Sequence, residues 1–187
     1  MAAEGRSLVP RVVTGGGAFR QWEHYPTKDA ISPSSGARWF YHAHPPEQRG
    51  PGEHGHFHLF LPLSDFDGIE ALSRPAIKEG AKKTPVPVVH IAALSCNTAG
   101  EPTHWFTTNR WVTQEYMMPA SAIIARIDRY DVRDAQGDGL VNGWMTAAVA
   151  TFREPIAAML DQRDAALAGR RFDDRNLEIL STAAFDA

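Results

Sequence analysis

Residues 38–44 read Arg-Trp-Phe-Tyr-His-Ala-His, and residues 54–61 read His-Gly-His-Phe-His-Leu-Phe-Leu. In both stretches histidine recurs at every second position. Side chains of a strand alternate between its two faces, so this period predicts two strands, Arg38–His44 and Gly55–Leu61, each with its histidines on one side. The alternate positions are apolar and predict a face that packs against a hydrophobic layer; they are Trp39, Tyr41, Ala43, Phe57, Leu59 and Leu61.

Other short aromatic and β-branched runs, bounded by Pro and Gly, predict three further strands. These are Phe19–Tyr25, Val86–Ser95 and His104–Glu115, with Val88, His90, Ala92 and Leu94 sharing one face of the second. The segment 45–53 is too rich in Pro and Gly for a tight hairpin turn and suits a mobile flap. Both this connection and the turn at 96–103 favour antiparallel neighbours.

The chain changes character after about residue 118, where Ala, Leu and Arg dominate and predict helices. One helix is predicted after a cap at Asp138, with an apolar face at four-residue spacing formed by Leu140, Trp144, Ala148 and Phe152 and joined by Val141, Met145 and Val149. A kink or a new helix is expected at Pro155, followed by an amphipathic stretch that ends near Gly169. Asp173–Ala184 is predicted as a short helix or a frayed terminus.

These elements define an α+β fold in one domain over residues 1–187, mainly β over about 19–118 and helical over about 138–184. We expect an antiparallel sheet, flat or curved into a half-barrel, that bears a histidine cluster. C-terminal helices are expected to cover its other face.

Composition excludes several classes of protein. The chain is 43% apolar and 22% charged with a formal net charge of -3, which is ordinary for a globular protein and argues against a nucleic-acid partner. No apolar run reaches the roughly 20 residues of a membrane span. The single cysteine, Cys96, and the lack of an apolar core in Met1–Pro10 predict a cytoplasmic protein.

The histidine pattern suits a metal ion. Neutral imidazole is a common ligand of Fe, Zn and Cu, and residues two apart on a strand lie about 7 Å apart at Cα, near enough for their rings to converge. The predicted ligands are His42, His44, His56 and His58, with His54 as a fifth candidate. A solvated polar face is the competing interpretation. His24, His90 and His104 are interpreted first as hydrogen-bonded structural residues.

Four other residues complete the predicted site. Glu53, directly before His54, is the best placed carboxylate to carry a proton, against the alternative of an exposed loop charge. Arg38, on the same face as His42, and Arg110 could bind an anionic substrate, and Tyr41 is a further candidate for the pocket.

The leading functional hypothesis is a metal-dependent enzyme, hydrolytic or oxidative, that acts on a small molecule through a mononuclear multi-histidine site. A protein that binds haem non-covalently is one alternative, since no c-type attachment motif occurs. A non-catalytic protein that binds or senses a metal or small ligand is another. A homo-oligomer is compatible with the sequence.

Two resemblances bear on this hypothesis. The run Gly36–His44 resembles the start of the first cupin motif, whose two histidines and glutamate bind a metal, although Glu47 comes one or two residues early and no second motif follows. The stretches Trp22–Pro26, Tyr41–Pro45, Glu53–Phe60 and His104–Trp111 together are similar to an uncharacterised bacterial domain family of unknown function. That resemblance spans most of the chain and implies no established activity, cofactor or catalytic residue.

Overall fold

A six-stranded antiparallel sheet, with its strands in chain order, dominates the computed structural model, which describes residues 7–13, 18–75 and 86–186. The strands are β1 (Tyr25–Ile31), β2 (Arg38–His42), β3 (Glu53–Pro62), β4 (Val88–Asn97), β5 (Pro102–Thr108) and β6 (Ile179–Ala184). β1 and β6 form the two edges, so the sheet is open. The meander lacks the crossover connections of a jelly roll, and the cupin resemblance therefore does not extend to the architecture.

Five α-helices occur in the described ranges. They are α1 (Leu8–Val13), α2 (Arg110–Thr113), α3 (Ala120–Ile124), α4 (Gly139–Thr151) and α5 (Arg153–Leu167). The predicted cap is confirmed, because the Asp138 carboxylate accepts hydrogen bonds from the backbone N–H groups of Leu140 and Val141. Within those same ranges, no helix combines the length and the apolar character that a membrane crossing requires.

The hydrophobic core lies between one face of the sheet and the helices, which confirms the predicted α+β arrangement. Trp39, Phe57, Leu59 and Trp105 on the sheet are almost fully buried, and they share one cluster with the α4 and α5 residues Val141, Met145, Ile156, Met159 and Leu160. The Trp39 indole N–H also donates to Asn142 Oδ1 at 2.9 Å, which ties β2 to α4. The helices thus cover one side of the sheet and leave the other side for the histidines.

The predicted second helix is confirmed in its main features. α5 begins at Arg153, so Pro155 lies in its first turn, where a missing N–H costs no intrahelical bond. The predicted apolar face of α4 is buried at Val141, Met145, Ala148, Val149 and Phe152, whereas Leu140 at the start of the helix is 55% exposed. The helix therefore packs through most of the predicted face.

The helix predicted over Asp173–Ala184 is wrong. Residues Ile179–Ala184 form β6 and pair with β5, with Phe106 opposite Thr182 and Trp105 opposite Ala183. The buried Ser181 hydroxyl donates to the Met159 carbonyl at 2.7 Å. Ala and Leu in this segment favour a helix locally, but the unpaired edge of β5 offers a ladder of hydrogen bonds that overrides the local preference.

Two predicted strand boundaries are also wrong. The segment predicted over Phe19–Tyr25 becomes a strand only at Tyr25, and β1 continues to Ile31. The strand predicted over His104–Glu115 ends at Thr108, because the Asn109 side chain accepts a hydrogen bond from the Arg110 N–H and starts α2. Asn is a preferred helix cap, and this local bond competes with continued strand pairing.

Candidate metal centre

The face of the sheet turned away from α4 and α5 carries the histidines, and we call it the histidine face. Its members on β2 to β5 are His42, His56, His58, His90 and His104. His44 follows β2, with its ring centroid 5.0 Å from that of His42, and His24 lies beside the face with its ring centroid 6.0 Å from that of His42. The predicted histidine cluster on the sheet is therefore confirmed.

A β-bulge at the start of β3 separates His54 from the other histidines. Glu53 pairs with Asn97 and Gly55 with Cys96, so two steps along β3 match one step along β4. The alternation is shifted: Glu53 reaches the histidine face, and His54 lies 2.6 Å from the Tyr41 hydroxyl through Nδ1. The prediction that His54 shares a face with His56 and His58 is wrong.

A second bulge brings His90 to the histidine face. Leu59 pairs with Ala92 but Phe60 pairs with His90, which leaves Ile91 as the extra residue of β4. Ile91 and Ala92 both enter the core, and His90 Nε2 comes to 3.0 Å from His58 Nδ1. The prediction that Val88, His90, Ala92 and Leu94 share one face is therefore wrong.

Three imidazoles converge closely enough to hold one metal ion. One ring nitrogen from each of His42, His44 and His56 lies within 4.8 Å of the other two. The Nε2 atoms of His42 and His56 are 2.7 Å apart, because the two residues face each other across the β2–β3 ladder. Zinc and other transition metals bind imidazole nitrogen at about 2.0–2.1 Å, so small shifts of the rings suffice to surround an ion.

The electrostatics disfavour protonation of His42 and His44. Burial, followed by the neighbouring His56 and His44, lowers the pKa of His42 to about 2. Burial and His56 also lower the pKa of His44. Metal ligation needs the unprotonated nitrogen, so a cluster that already disfavours protonation presents its lone pairs at neutral pH.

Glu53 orients one of the three rings. Its Oε1 lies 2.7 Å from His56 Nδ1, and its Oε2 accepts the Gly50 N–H at 3.2 Å. Burial raises the pKa of Glu53, but these hydrogen bonds and the nearby imidazoles outweigh burial and hold that pKa below its usual value. With Nδ1–H donated to a carboxylate, His56 directs its Nε2 lone pair at the centre, as metal-binding histidines commonly do.

His58 is the next histidine from this centre. Its ring centroid is 4.9 Å from that of His56 and 5.2 Å from that of His42. Its Nε2 is buried and has no hydrogen-bond partner among the described residues. Burial, with His56 and His90, lowers its pKa well below the usual value, so this ring is neutral too.

The remaining histidines are held by other partners. His24 stacks on Phe40 with ring centroids 3.7 Å apart, and its Nδ1 lies 3.1 Å from an Asp29 carboxylate oxygen. His104 Nδ1 is 3.0 Å from the Thr103 hydroxyl. These contacts are the kind expected of hydrogen-bonded structural residues.

A cavity of about 700 Å³ opens beside the three imidazoles. His44, His56 and His58 line it, and so do Gln48, Gly50, Pro51, Gly52 and Glu53 from the segment 45–53, predicted as a flap. The rest of the described wall comes from β4, β5, α2 and the segment 176–179, and its members before that segment are Ser95, Asn97, Thr103, His104, Phe106, Thr108 and Val112. The volume lies within the usual range for small-molecule sites.

The three residues predicted to hold a substrate lie outside this cavity. Tyr41 points into the core and is fully buried. Arg38 is on the histidine face opposite Phe60, as predicted, but at the far end of β2 from His42. Arg110 is the first residue of α2, and among the described residues that line the cavity there is neither an arginine nor a lysine.

Trp22 is a site residue that the sequence analysis missed. Its ring stacks on His44 with centroids 4.4 Å apart, although its side chain is 55% exposed. Its backbone has φ +67°, an uncommon value for a bulky residue, and its N–H donates to the Ala43 carbonyl at 3.0 Å. No local pattern signals this contact, since it depends on the chain before β1 crossing the end of β2.

The position of Trp22 gives a direct spectroscopic test. Copper(II) bound at His42, His44 and His56 should quench Trp22 strongly, because quenching by this ion is a short-range effect and the indole contacts a ligand ring. We expect Trp22→Phe to remove most of the copper-dependent quenching of tryptophan fluorescence. Trp144→Phe, on α4 and away from the histidine face, is the matched control and should leave the quenching in place. Equal quenching in Trp22→Phe would place the copper elsewhere.

Fold and site together define an α+β protein with an open antiparallel sheet and a histidine cluster able to hold a metal ion. The chain belongs to the family described as Domain of unknown function (DUF6969), whose model matches residues 1–185. Neither the curated proteins nor the solved structures include a significant match to the chain. Any function must therefore be argued from the site itself.

Proposed function

We propose that this protein is a metal-dependent enzyme that acts on a small molecule, with His42, His44 and His56 as the metal ligands. The observation that carries the proposal is the convergence of three ring nitrogens within 4.8 Å of one another beside a cavity of about 700 Å³. Structural metal sites are closed, whereas three protein ligands leave a coordination position free for water or substrate.

The donor set fits a transition metal. Imidazole suits Zn, Fe and Cu, and an all-nitrogen set with no thiolate or carboxylate ligand is unsuited to Mg or Ca. An ion of this kind supplies Lewis acidity, and iron or copper also supplies redox chemistry. His58 is available as a fourth ligand, because its buried Nε2 has no other partner in the described part of the chain.

Glu53 serves this centre by positioning His56 and balancing part of the metal charge. Its carboxylate is bound to His56 Nδ1 and to the Gly50 N–H, and it also lies on the cavity wall. A carboxylate so placed next to the open side of the centre is the candidate to exchange a proton with a bound water or substrate.

The first test is the metal content of the purified protein. We expect about one equivalent of Zn, Fe or Cu per chain by elemental analysis, because three converging imidazoles bind one ion. An absorption spectrum with a Soret band would assign the site to haem instead. Metal-loaded protein that turns over neither nitrophenyl esters nor phenols with oxygen would favour a metal-binding or sensing protein, and no uptake of any of the three ions would contradict the proposal.

A further inference from the structure

The cavity beside the histidine cluster lies against Ser95 of β4, and we call it the trough because the residues on either side of β4 carry larger side chains. Ser95 lies between His56 and His104 across the sheet, and Ala93 lies between His58 and Phe106. The rings on β3 and β5 stand higher than Ser95 and Ala93, so β4 forms the floor and its neighbours form the sides. This shape leaves room for a ligand next to the three candidate metal ligands.

Two buried hydroxyls in this trough lack a protein partner. Ser95 is 1% exposed and Thr108 is 2% exposed, and both residues line the cavity. Neither Ser95 Oγ nor Thr108 Oγ1 has a hydrogen-bond partner among the described residues. Buried polar groups are nearly always satisfied, so two unsatisfied hydroxyls on the wall of one cavity point to partners that come from a ligand. A rotation about χ1 would turn either hydroxyl toward a ligand in the cavity.

The rest of the described lining combines hydrocarbon with neutral polar side chains, the latter being Gln48, Asn97, Thr103, His104 and Asn176. Phe106, Val112, Leu177 and Ile179 contribute hydrocarbon, and Ile179 at the rim is 48% exposed. The charged side chains of the lining are Glu53 and Glu178, with no lysine or arginine in the described part of the lining. Such a wall suits a molecule that has both apolar and neutral polar groups, and it disfavours phosphate groups or several carboxylates, which need cationic partners.

We propose that this cavity binds an uncharged, partly apolar small molecule whose hydroxyl or carbonyl groups pair with Ser95 and Thr108. The inference rests on the proposed function in that this molecule is the substrate presented to the metal centre. The binding itself uses the trough and not the ion, and it can therefore be measured in metal-free protein.

The test is binding of a matched ligand panel by saturation-transfer difference NMR. The probes are 1,4-benzenedimethanol and related neutral benzylic alcohols, each compared with the carboxylate of the same skeleton, such as terephthalate. We expect the neutral members to bind metal-free protein and their carboxylates to bind at least about tenfold more weakly, since the wall offers carboxylates no cation. Equal binding of the two series, or no binding of any neutral member, would overturn the inference.

Variants of the two trough hydroxyls test whether the neutral probe binds in the trough. Ser95→Ala and Thr108→Val should each weaken binding of the neutral probe about fivefold, the effect of losing one hydrogen bond of ordinary net strength. Neither should lower the midpoint of thermal unfolding, because the hydroxyls have no protein partner to lose. The exposed Ser121→Ala is the matched control. Unchanged probe affinity in both trough variants, or a clear drop in their thermal stability, would show that the hydroxyls serve the fold and not a ligand.

Failure of this inference is distinguishable from failure of the proposed function. Both trough variants should take up as much zinc as the unmodified protein, since Ser95 and Thr108 are not among the converging ligands. Probe binding without zinc uptake would refute the metal centre and keep the ligand site. Zinc uptake without probe binding would refute the ligand site and keep the metal centre.

Discussion

Replacing His42, His44 or His56 by Ala, one at a time, is expected to reduce bound metal from about one equivalent per chain to a small fraction of it. In the described ranges the three rings form the only group of three or more candidate ligand atoms that all lie within 4.8 Å of one another, so each variant leaves two of these converging ligands. Two imidazoles on a sheet hold an ion far less tightly than three. The measurement is elemental analysis of gel-filtered protein after incubation with a slight excess of zinc.

The chain offers a matched control for these variants. His54 is the same residue type on the same strand as His56, but the bulge at the start of β3 sends it to the Tyr41 side. We therefore expect His54→Ala to keep its metal. If it loses metal as completely as His56→Ala, the assignment of faces is wrong.

Loss of metal must also be separated from loss of folding. His44 follows β2 and is only partly buried, so His44→Ala should unfold at nearly the same urea concentration as metal-free unmodified protein. Zinc should then raise the unfolding midpoint of the unmodified protein and leave that of His44→Ala unchanged, because a ligand stabilises only the state that binds it. A zinc-dependent rise in His44→Ala as large as in the unmodified protein would exclude His44 from the ligand set.

The sequence predicts the central part of this site because it depends on a local rule. Alternation along β2 and β3 places His42, His56 and His58 on one face, and the facing apolar residues of the same strands fill the core. Asp138 and Pro155 are equally local signals, and both mark helix starts in the structure. Where the residues adjacent in sequence determine the environment of a side chain, the sequence pattern is sufficient to predict that environment.

The two β-bulges are exceptions to the rule that side chains alternate along a strand. Alternation gives the wrong face for His54 and His90, because each strand contains one residue without a partner and the sequence does not mark which one. Gly55 is a partial signal, since glycine within a strand often indicates a bulge. The β4 bulge at Ile91 has no such signal.

Contacts between distant segments could not be predicted from the sequence either. Trp22 meets His44 only because the chain before β1 crosses the end of β2, as its hydrogen bond to Ala43 shows. β6 forms because β5 leaves an edge for it to pair with. Both depend on tertiary structure that the local sequence does not contain.

Gly55→Ala is expected to destabilise the fold by about 3 kcal/mol, at the upper end for adding one methyl group to a tightly packed site. A Cβ at this position would overlap the His42 carbonyl oxygen and would lie 2.6 Å from the Tyr41 hydroxyl and 2.9 Å from Ala43 Cβ. The first of these is backbone and cannot rotate away. The measurement is urea unfolding of metal-free protein, so that stability and metal binding are not mixed.

Gly143→Ala provides the control for Gly55→Ala. Gly143 lies inside α4, and nothing lies within 4 Å of the position that an added methyl group would take, so alanine there should raise the free energy of unfolding by up to about 1 kcal/mol through helix propensity. Opposite signs for the same substitution would show that the cost at position 55 comes from crowding and not from the loss of glycine as such.

Crowding at Gly55 should also reach the metal centre. Relief of the overlap with the His42 carbonyl requires β2 and β3 to separate at that point, which moves His42 away from His56 and lengthens the 2.7 Å approach of their Nε2 atoms. We therefore expect the folded fraction of Gly55→Ala to bind zinc more weakly, although no ligand is changed. If Gly55→Ala were as stable as the unmodified protein and had the same zinc affinity, β2 and β3 would not pack closely at the bulge. That result would also contradict the close approach of His42 to His56.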